Sequence, residues 1–227
     1  AGTYTIEVFS TNKDVGYINA TDAGVVNYWT ANSSAIDYVK FLSGDVTNDY
    51  AINASDALLI QNYFVKGTSF IREPWSYWLK GPEISANVND PATLPREMTV
   101  NVSGEHVVQD LYAQATGDFN GSYTPDQLKS ASRSLLLAQE RSLNVDKNQE
   151  FELPLRAGFA MEVGALSMIL DMPEDVVQVT DVQIAGSEVP VTWAMKGNEL
   201  RIGWNSLNPV YVGENDALVV LTLQTSA

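Results

Sequence analysis

The stretch GDVTNDYAINASDA, residues 44–57, places oxygen-bearing side chains at a spacing that suits a divalent cation. Asp45, Thr47 and Asp49 alternate along it, and Asp56 follows at the twelfth position counted from Asp45. Alternate side chains on a tight turn point toward one centre, and an acidic residue at position 12 closes the shell from the next helix. Hard oxygen ligands favour calcium. The predicted ligands of this segment, named loop 2, are Asp45, Thr47, Asp49, the carbonyl of Ala51, Asn53 and Asp56.

Loop 2 departs from the usual twelve-residue calcium loop at two positions. Position 6, where the sharp turn normally requires glycine, is Tyr50, and position 3 is Thr47 rather than Asp or Asn. Ile52 at position 8 is an aliphatic residue that can pack inward. The alternative interpretation is a solvated polar turn that caps a helix and holds no metal.

A hexamer in loop 2 occurs twice in the chain. INATDA, residues 18–23, repeats INASDA, residues 52–57, with aspartate fifth in both. Counting back from Asp22 defines loop 1, in which Lys13 and Val15 occupy positions 3 and 5 and cannot supply side-chain oxygens. Loop 1 is therefore interpreted as a helix-entry turn, and its candidate ligands are Thr11, Asp14 and Asp22.

A third partial copy is GDFNGSYTPDQL, residues 117–128, named loop 3. Its first half repeats positions 1, 3 and 5, but Lys129 at position 12 would repel a cation. Thr124 and Gln127 form a capping-box pattern that starts a helix early and could swing Asp126 toward the first three ligands. The sequence predicts a second, weaker calcium site here, with ligands Asp118, Asn120, Ser122, the carbonyl of Thr124 and Asp126.

Composition excludes several classes of function. The 13 basic and 28 acidic residues give a net charge of −15, which argues against nucleic acid and anionic membranes as partners. Without cysteine the chain has no disulfide, thiolate metal site or cysteine nucleophile. No apolar run is long enough to span a membrane. His106 is the only histidine, and no hydrolase, phosphate-loop or zinc-protease motif occurs, so the prediction is a non-enzyme.

Two loop-and-helix units about 34 residues apart, with aspartate at position 12, resemble a type I dockerin over residues 10–66. The resemblance implies calcium binding and docking onto a cohesin in an extracellular bacterial assembly. The alternating apolar pattern of 143–224 resembles the strands of a cohesin, which implies a jelly-roll β-sandwich. Together these features resemble the C-terminal regions of large secreted surface proteins of Bacteroidetes.

The expected fold class is α+β, with calcium-loop/helix repeats packed with a mainly antiparallel β-sandwich. Residues 1–9 are expected to be a strand left from a preceding β-sandwich domain, 10–66 the dockerin-like repeats, 67–142 a β-rich connector and 143–227 the cohesin-like sandwich. Within the connector, 98–102 and 107–112 are predicted strands. Both ends look cut, so the chain is expected to be part of a larger polypeptide.

Aromatic residues in the connector offer a competing function. Trp75, Tyr77 and Trp78 either stack on sugar rings or pack between the predicted parts of the chain, and packing is the favoured interpretation. The predicted function is thus a non-catalytic dockerin/cohesin-like module of a secreted or cell-surface adhesion or assembly protein. Its expected partner is a cohesin-like or dockerin-like module of the same or another chain. The alternatives are a carbohydrate-binding module, with polysaccharide as partner, and a structural spacer.

Overall fold

The chain divides into two compact units in the computed structural model, which describes residues 1–8, 14–85, 87, 90–125, 137–138, 143–173 and 175–226. Unit 1 comprises Ala1–Tyr63 and Thr68–Asp126. Unit 2 comprises Phe64–Gly67 and Gln127–Ala227. The segment 67–142, expected to be a connector, forms no third unit, since most of it belongs to unit 1.

Two of the helices that begin in unit 1, the first and the third, start at asparagine caps. In the described ranges the helices are α1 (Ala20–Ala31), α2 (Tyr38–Gly44) and α3 (Ala54–Lys66), and residues 64–66 of α3 belong to unit 2. The Asn19 side chain accepts a hydrogen bond from the Thr21 N–H at 2.8 Å, and Asn53 accepts one from the Ser55 N–H at 2.8 Å. The repeated hexamer thus encodes the same helix start in α1 and α3.

Short antiparallel strand pairs complete unit 1. Strand β1 (Gly2–Ile6) pairs with β5 (Met98–Val102), β2 (Ile36–Asp37) with β4 (Glu83–Ile84), and β3 (Trp75–Leu79) with β6 (Leu111–Ala115). A short 3-10 helix spans Pro91–Thr93. The strand predicted at 98–102 is confirmed. The strand predicted at 107–112 is wrong in position, because the pairing with β3 begins only at Leu111.

The core of unit 1 anchors the polar loops. Trp29 of α1 contacts Phe41 of α2 and Phe119 of loop 3 edge-on, with ring centroids 6.2 and 6.3 Å apart. Phe119 and Val46 are fully buried, and each directly follows the first aspartate of its loop. An apolar residue at position 2 therefore fixes the start of both loops in the helical core.

The described residues of unit 2 form two antiparallel sheets. The strands are β7 (Leu137–Ala138), β8 (Glu150–Ala157), β9 (Met161–Asp171), β10 (Val177–Ile184), β11 (Thr192–Lys196), β12 (Glu199–Val212) and β13 (Ala217–Thr225). One sheet has the strand order β10–β13–β8–β7 and the other β11–β12–β9. Side chains from both sheets form one buried cluster, as in β-sandwich packing.

Alternation along the strands decides which residues enter this cluster. Leu200, Ile202 and Trp204 alternate along β12 and are fully buried. In β10 a register shift between Val179 and Asp181 places one extra residue in the strand. The shift lets both Val179 and Val182 face the core although they are three residues apart. The described residues combine helices with antiparallel sheets, which is compatible with the predicted α+β class, whereas the dockerin-like and cohesin-like assignments stay predictions.

Candidate metal loops

The first aspartate of loop 2 is wrapped by the backbone that follows it. Asp45 is fully buried at the end of α2. Its Oδ1 accepts a hydrogen bond from the Asp49 N–H at 3.0 Å, and its Oδ2 accepts one from the Tyr50 N–H at 2.9 Å. Tyr50 adopts a left-handed backbone with φ of 63°, so this tyrosine makes the turn for which glycine was expected.

The twelfth residue of loop 2 closes onto the third. Asp56 is fully buried, and its Oδ1 accepts hydrogen bonds from the N–H of Thr47 at 3.1 Å and from the Thr47 hydroxyl at 2.9 Å. Its Oδ2 accepts one from the Asn53 N–H at 2.9 Å. The turn and the start of α3 are therefore tied together by a single carboxylate.

The Thr47 hydroxyl lies between the two buried carboxylates of loop 2. Its oxygen lies 2.9 Å from Oδ1 of Asp56 and 3.3 Å from Oδ1 of Asp45. Each of these carboxylate oxygens also accepts a backbone N–H, from Thr47 and from Asp49. Two carboxylates and a hydroxyl close together are hard oxygen donors, so the donor set fits a hard metal ion.

Loop 3 repeats the wrapped aspartate of loop 2. The Asp118 carboxylate is 1% exposed. Its Oδ1 accepts a hydrogen bond from the Ser122 N–H at 3.0 Å, and its Oδ2 accepts one from the Tyr123 N–H at 3.0 Å. These donors occupy positions 5 and 6, as in loop 2. Gly121 at position 4 has φ of 69°, and its counterpart Asn48 has φ of 60°.

The closing carboxylate of loop 3 comes from a distant part of the chain. Oδ1 of Asp22 in α1 accepts a hydrogen bond from the Asn120 N–H at 3.1 Å across 98 residues, as Asp56 accepts from Thr47. Oδ2 of Asp22 accepts one from the Asn19 N–H at 3.0 Å, as Asp56 accepts from Asn53. We name the assembly of residues 117–123 with 18–22 the composite loop. Residues 118–123 correspond to positions 1–6 of loop 2, and residues 18–22 correspond to positions 8–12. The two halves of the motif therefore occur in the opposite order along the chain.

Packing beneath the two loops repeats in the same way. Gly44 precedes Asp45, and a Cβ built on it would lie 3.0 Å from Cδ1 of Ile52. Gly117 precedes Asp118, and a Cβ there would lie 3.1 Å from Cγ2 of Ile18. Position 8 of each loop thus packs on the glycine before position 1, and the glycine leaves room for it.

A pair of alanine substitutions tests this close packing. Gly117 and Gly121 both have positive φ, of 92° and 69°, so alanine at either costs about 1 kcal/mol in backbone strain. Only at Gly117 would the new Cβ also clash, at 2.7 Å from Phe70 and 3.1 Å from Ile18, whereas Gly121 has open space. Gly117→Ala is expected to lower the free energy of unfolding by about 1–3 kcal/mol more than Gly121→Ala, measured by urea unfolding. Equal losses would contradict the packing described.

Burial dominates the electrostatics of both loops. It raises the pKa of Asp45, Asp56 and Asp118, and raises that of Asp22 from 3.8 to about 7. In loop 2 the neighbouring Arg72 guanidinium opposes this effect on the pKa of Asp45. In the composite loop the charge of Asp118 raises the pKa of Asp22 further. The composite loop therefore holds two mutually repelling carboxylates.

Arg72 compensates part of the charge of loop 2. Its guanidinium Nη2 forms an ion pair with Oδ2 of Asp45, and its Nε donates to the Asp45 carbonyl at 2.7 Å. The side chain is 12% exposed. Sequence analysis missed this residue, because it lies 27 positions beyond Asp45 and no local pattern connects the two.

The structure regroups several of the predicted ligands. Asp22 joins the composite loop rather than the contiguous loop 1. Asp14 is exposed, and its carbonyl accepts a hydrogen bond from the Tyr123 hydroxyl at 2.8 Å. Thr124 is exposed. The carboxylate of Asp49 accepts a hydrogen bond from the Ala51 N–H at 3.0 Å. Thr11, Asp126 and the helix expected after Pro125 lie outside the described residues.

Metal binding at either loop would rely on mixed oxygen ligands. In the described ranges, no group of three or more His, Cys, Asp or Glu side chains is arranged to hold a metal ion. Each loop instead offers two buried carboxylates together with amide, hydroxyl and carbonyl oxygens. Calcium takes six to eight such ligands, water among them, so both donor sets are compatible with it.

The three aromatic candidates separate onto two faces of β3. Trp78 is buried in the core, with its ring 4.5 Å edge-on from that of Tyr38. Trp75 and Tyr77 are half-buried on the alternate face. Trp78 thus packs within the core of unit 1 rather than between the predicted parts of the chain, and the other two line a cleft of unit 1.

Comparisons of the chain with protein-family models, with curated proteins and with solved structures returned no match. None of the helices in the described ranges combines the length and apolar character needed to cross a bilayer. Inference about function therefore starts from the loops themselves.

Proposed function

We propose that unit 1 is a calcium-stabilised, dockerin-like module that holds one ion in loop 2 and one in the composite loop. Loop 2 would supply Asp45, Thr47, Asp49, the carbonyl of Ala51, Asn53 and Asp56. The composite loop would supply Asp118, Asn120, Ser122, Asn19 and Asp22. When bound, calcium adds positive charge beside the buried carboxylates, of which Asp45 is already partly compensated by Arg72 and Asp118 by Lys40. The module is non-catalytic.

One observation carries this proposal: two loops with different connectivity share one hydrogen-bond pattern. In both, position 1 accepts from the N–H groups of positions 5 and 6, and position 12 accepts from those of positions 3 and 9. A solvated helix cap explains only the contacts of positions 9 and 12. It does not explain why a second, fully buried carboxylate is brought to each cap.

The larger context of the module extends this proposal. Dockerin-like modules dock onto cohesin-like sandwiches, and unit 2 has two antiparallel sheets around one core. We infer a role in an extracellular assembly or adhesion protein of the bacterial surface, with a cohesin-like or dockerin-like module as partner. Light scattering after size exclusion, with calcium and with chelator, tests whether the chain associates with itself through these units.

Calcium titration of single-site variants tests the two-site proposal. The unchanged protein is expected to bind two ions in calorimetry and to melt at higher temperature in calcium than in chelator. A ligand at a hundredfold excess over Kd adds about 2.7 kcal/mol per site. Asp56→Asn should delete one binding class and Asp22→Asn the other, while Asp14→Asn serves as a matched control that changes neither.

Hydrogen exchange gives this experiment an internal reference. Calcium should slow amide exchange in α1 and α3 of unit 1 and leave strands β12 and β13 of unit 2 unchanged. An identical melting curve in calcium and chelator would overturn the proposal. Loss of one binding class in Asp14→Asn but not in Asp22→Asn would show that contiguous loop 1, and not the composite loop, holds the second ion.

A further inference from the structure

Unit 1 contains an open cleft that the calcium loops do not use. Its volume is about 610 Å³, within the range of small-molecule sites. It is lined by residues in or next to β1, β3 and β5, together with Asn48 and Tyr50 of loop 2. Its lining includes aromatic and charged side chains, among them Tyr50, Arg72, Trp75, Tyr77, Arg96 and Glu97.

Aromatic faces form part of this cleft. Trp75 and Tyr77 are half-buried on β3 and line the cleft, and Tyr77 also packs against the core of unit 1. The Trp75 ring contacts that of Tyr123, with centroids 6.1 Å apart, so its orientation is supported. An apolar ring face of this kind suits the C–H face of a pyranose, whose hydroxyls project from its edge.

The rim of the cleft mixes donors and acceptors. The Arg96 guanidinium stacks over the ring of Tyr50 at 3.3 Å from the centroid, and Arg72 lies 5.3 Å from the same centroid. The carboxylates of Glu73 and Glu97 line the same space. Guanidinium groups only donate hydrogen bonds and carboxylates only accept them, whereas a sugar hydroxyl does both. A vicinal diol can therefore bridge an arginine and a glutamate.

The charge of the cleft selects among ligands. Two arginines and three glutamates (Glu7, Glu73 and Glu97) line it, and the net charge of the chain is −15. The net charge of the chain opposes binding of an anionic polymer. Within the cleft, arginines and glutamates offer both hydrogen-bond donors and acceptors, which suits a neutral ligand rich in hydroxyls. We propose that the cleft binds a neutral oligosaccharide, with a ring face on Trp75 and hydroxyls between Arg96 and Glu97. This inference does not depend on calcium binding.

Binding of defined oligosaccharides tests the inference. Cellohexaose, xylohexaose, mannohexaose and maltohexaose, with polygalacturonate as an anionic comparator, are titrated against the full chain by calorimetry and tryptophan fluorescence. At least one neutral hexasaccharide should bind, and polygalacturonate should bind more weakly. Trp75→Ala and Arg96→Ala should each weaken binding at least tenfold.

Tyr28→Ala is the control, because Tyr28 is a 61% exposed aromatic of unit 1 outside the cleft, and binding should change by less than about twofold. Binding unchanged in both Trp75→Ala and Arg96→Ala would overturn the inference. So would the absence of binding by all four neutral probes at millimolar concentration, or tighter binding of polygalacturonate. The titrations are repeated in chelator. Oligosaccharide binding in chelator would support this inference even if the protein showed no response to calcium.

Discussion

Replacing Arg72 with methionine is expected to lower the free energy of unfolding by about 3–5 kcal/mol in calcium-free buffer. Arg72 forms the ion pair with the fully buried Asp45, and its removal leaves that carboxylate without a cationic partner. The loss reflects the cost of an uncompensated buried charge rather than the net value of the pair. Urea unfolding followed by circular dichroism at 222 nm measures it.

Arg96→Met provides a matched control. Both arginines lie over the ring of Tyr50, so both variants lose a cation–π contact, which is worth about 0.5–1 kcal/mol at an exposed site. Arg96 is exposed and donates to the carbonyl of Pro91 at 3.0 Å. Equal effects of the two substitutions would show that the Asp45 ion pair contributes nothing beyond this contact.

A second substitution separates charge from packing. Asp45→Asn in the Arg72→Met background removes the uncompensated carboxylate, so the double variant should recover part of the loss. In calcium, Arg72→Met alone should cost less than in chelator, because the ion compensates the same carboxylate. A cost that is equal in both buffers would argue that calcium does not reach loop 2.

Loop 2 could be predicted residue by residue because it is contiguous. All of its expected ligands lie within twelve positions, and local turn geometry sets their order. The position 6 tyrosine looked unfavourable in sequence, yet Tyr50 makes the turn with φ of 63°. Its ring stacks with Arg96 and lies over the cleft side of the loop, contacts that no local pattern could reveal.

The composite loop could not be predicted from the spacing of residues along the chain. Its first half at Asp118 and its closing residue Asp22 are brought together only when Phe119 packs against Trp29 of α1. A contiguous reading therefore assigned the two halves to separate, incomplete loops. The sequence nevertheless contains a signal. GDFNGSY, residues 117–123, resembles GDVTNDY, residues 44–50, in residue type, and INATDA, residues 18–23, repeats INASDA, residues 52–57. Aligning both halves to loop 2 would have suggested the pairing.

The strand regions show the same limit. Polar and apolar residues alternate along Met98–Val102, and the sequence predicts this strand correctly. The strand that pairs with β3 begins four residues later than predicted. Val107 and Val108 look strand-like, yet they are 43% and 90% exposed, because the pairing partner of Trp75–Leu79 fixes the register at 111–115. Hydrophobicity alone does not determine which residues pair across a sheet.

In chelator, the free energy of unfolding is expected to decrease as pH rises from about 4 to about 7. Burial raises the pKa of Asp22 from 3.8 to about 7, so the folded chain binds a proton that the unfolded chain releases in this window. Stability falls with pH wherever the folded state binds more protons. The contribution is fully present below pH 3.8 and is lost above 7. At 1.36 kcal/mol per pH unit it amounts to on the order of 4 kcal/mol.

Three other carboxylates act in the same direction. Burial also raises the pKa of Asp45, Asp56 and Asp118, so each adds to the loss as it ionises. Calcium favours the ionised form of every carboxylate it binds, so it should flatten or reverse the slope. In chelator the free energy of unfolding is thus expected to be lowest near neutral pH, where calcium would stabilise the protein most.

Urea unfolding at pH 4.5, 5.5, 6.5 and 7.5 measures this dependence, in chelator and in calcium. The signal at 222 nm follows the helices, which in the described ranges begin in unit 1. Asp22→Asn cannot ionise and retains one acceptor oxygen, so its stability should fall less steeply across the window. Asp14→Asn, at an exposed aspartate, should keep the slope of the unchanged protein. A stability that rises from pH 4.5 to 7.5 in chelator would mean that the buried carboxylates are stabilised as anions without metal, and the reason for binding calcium would disappear.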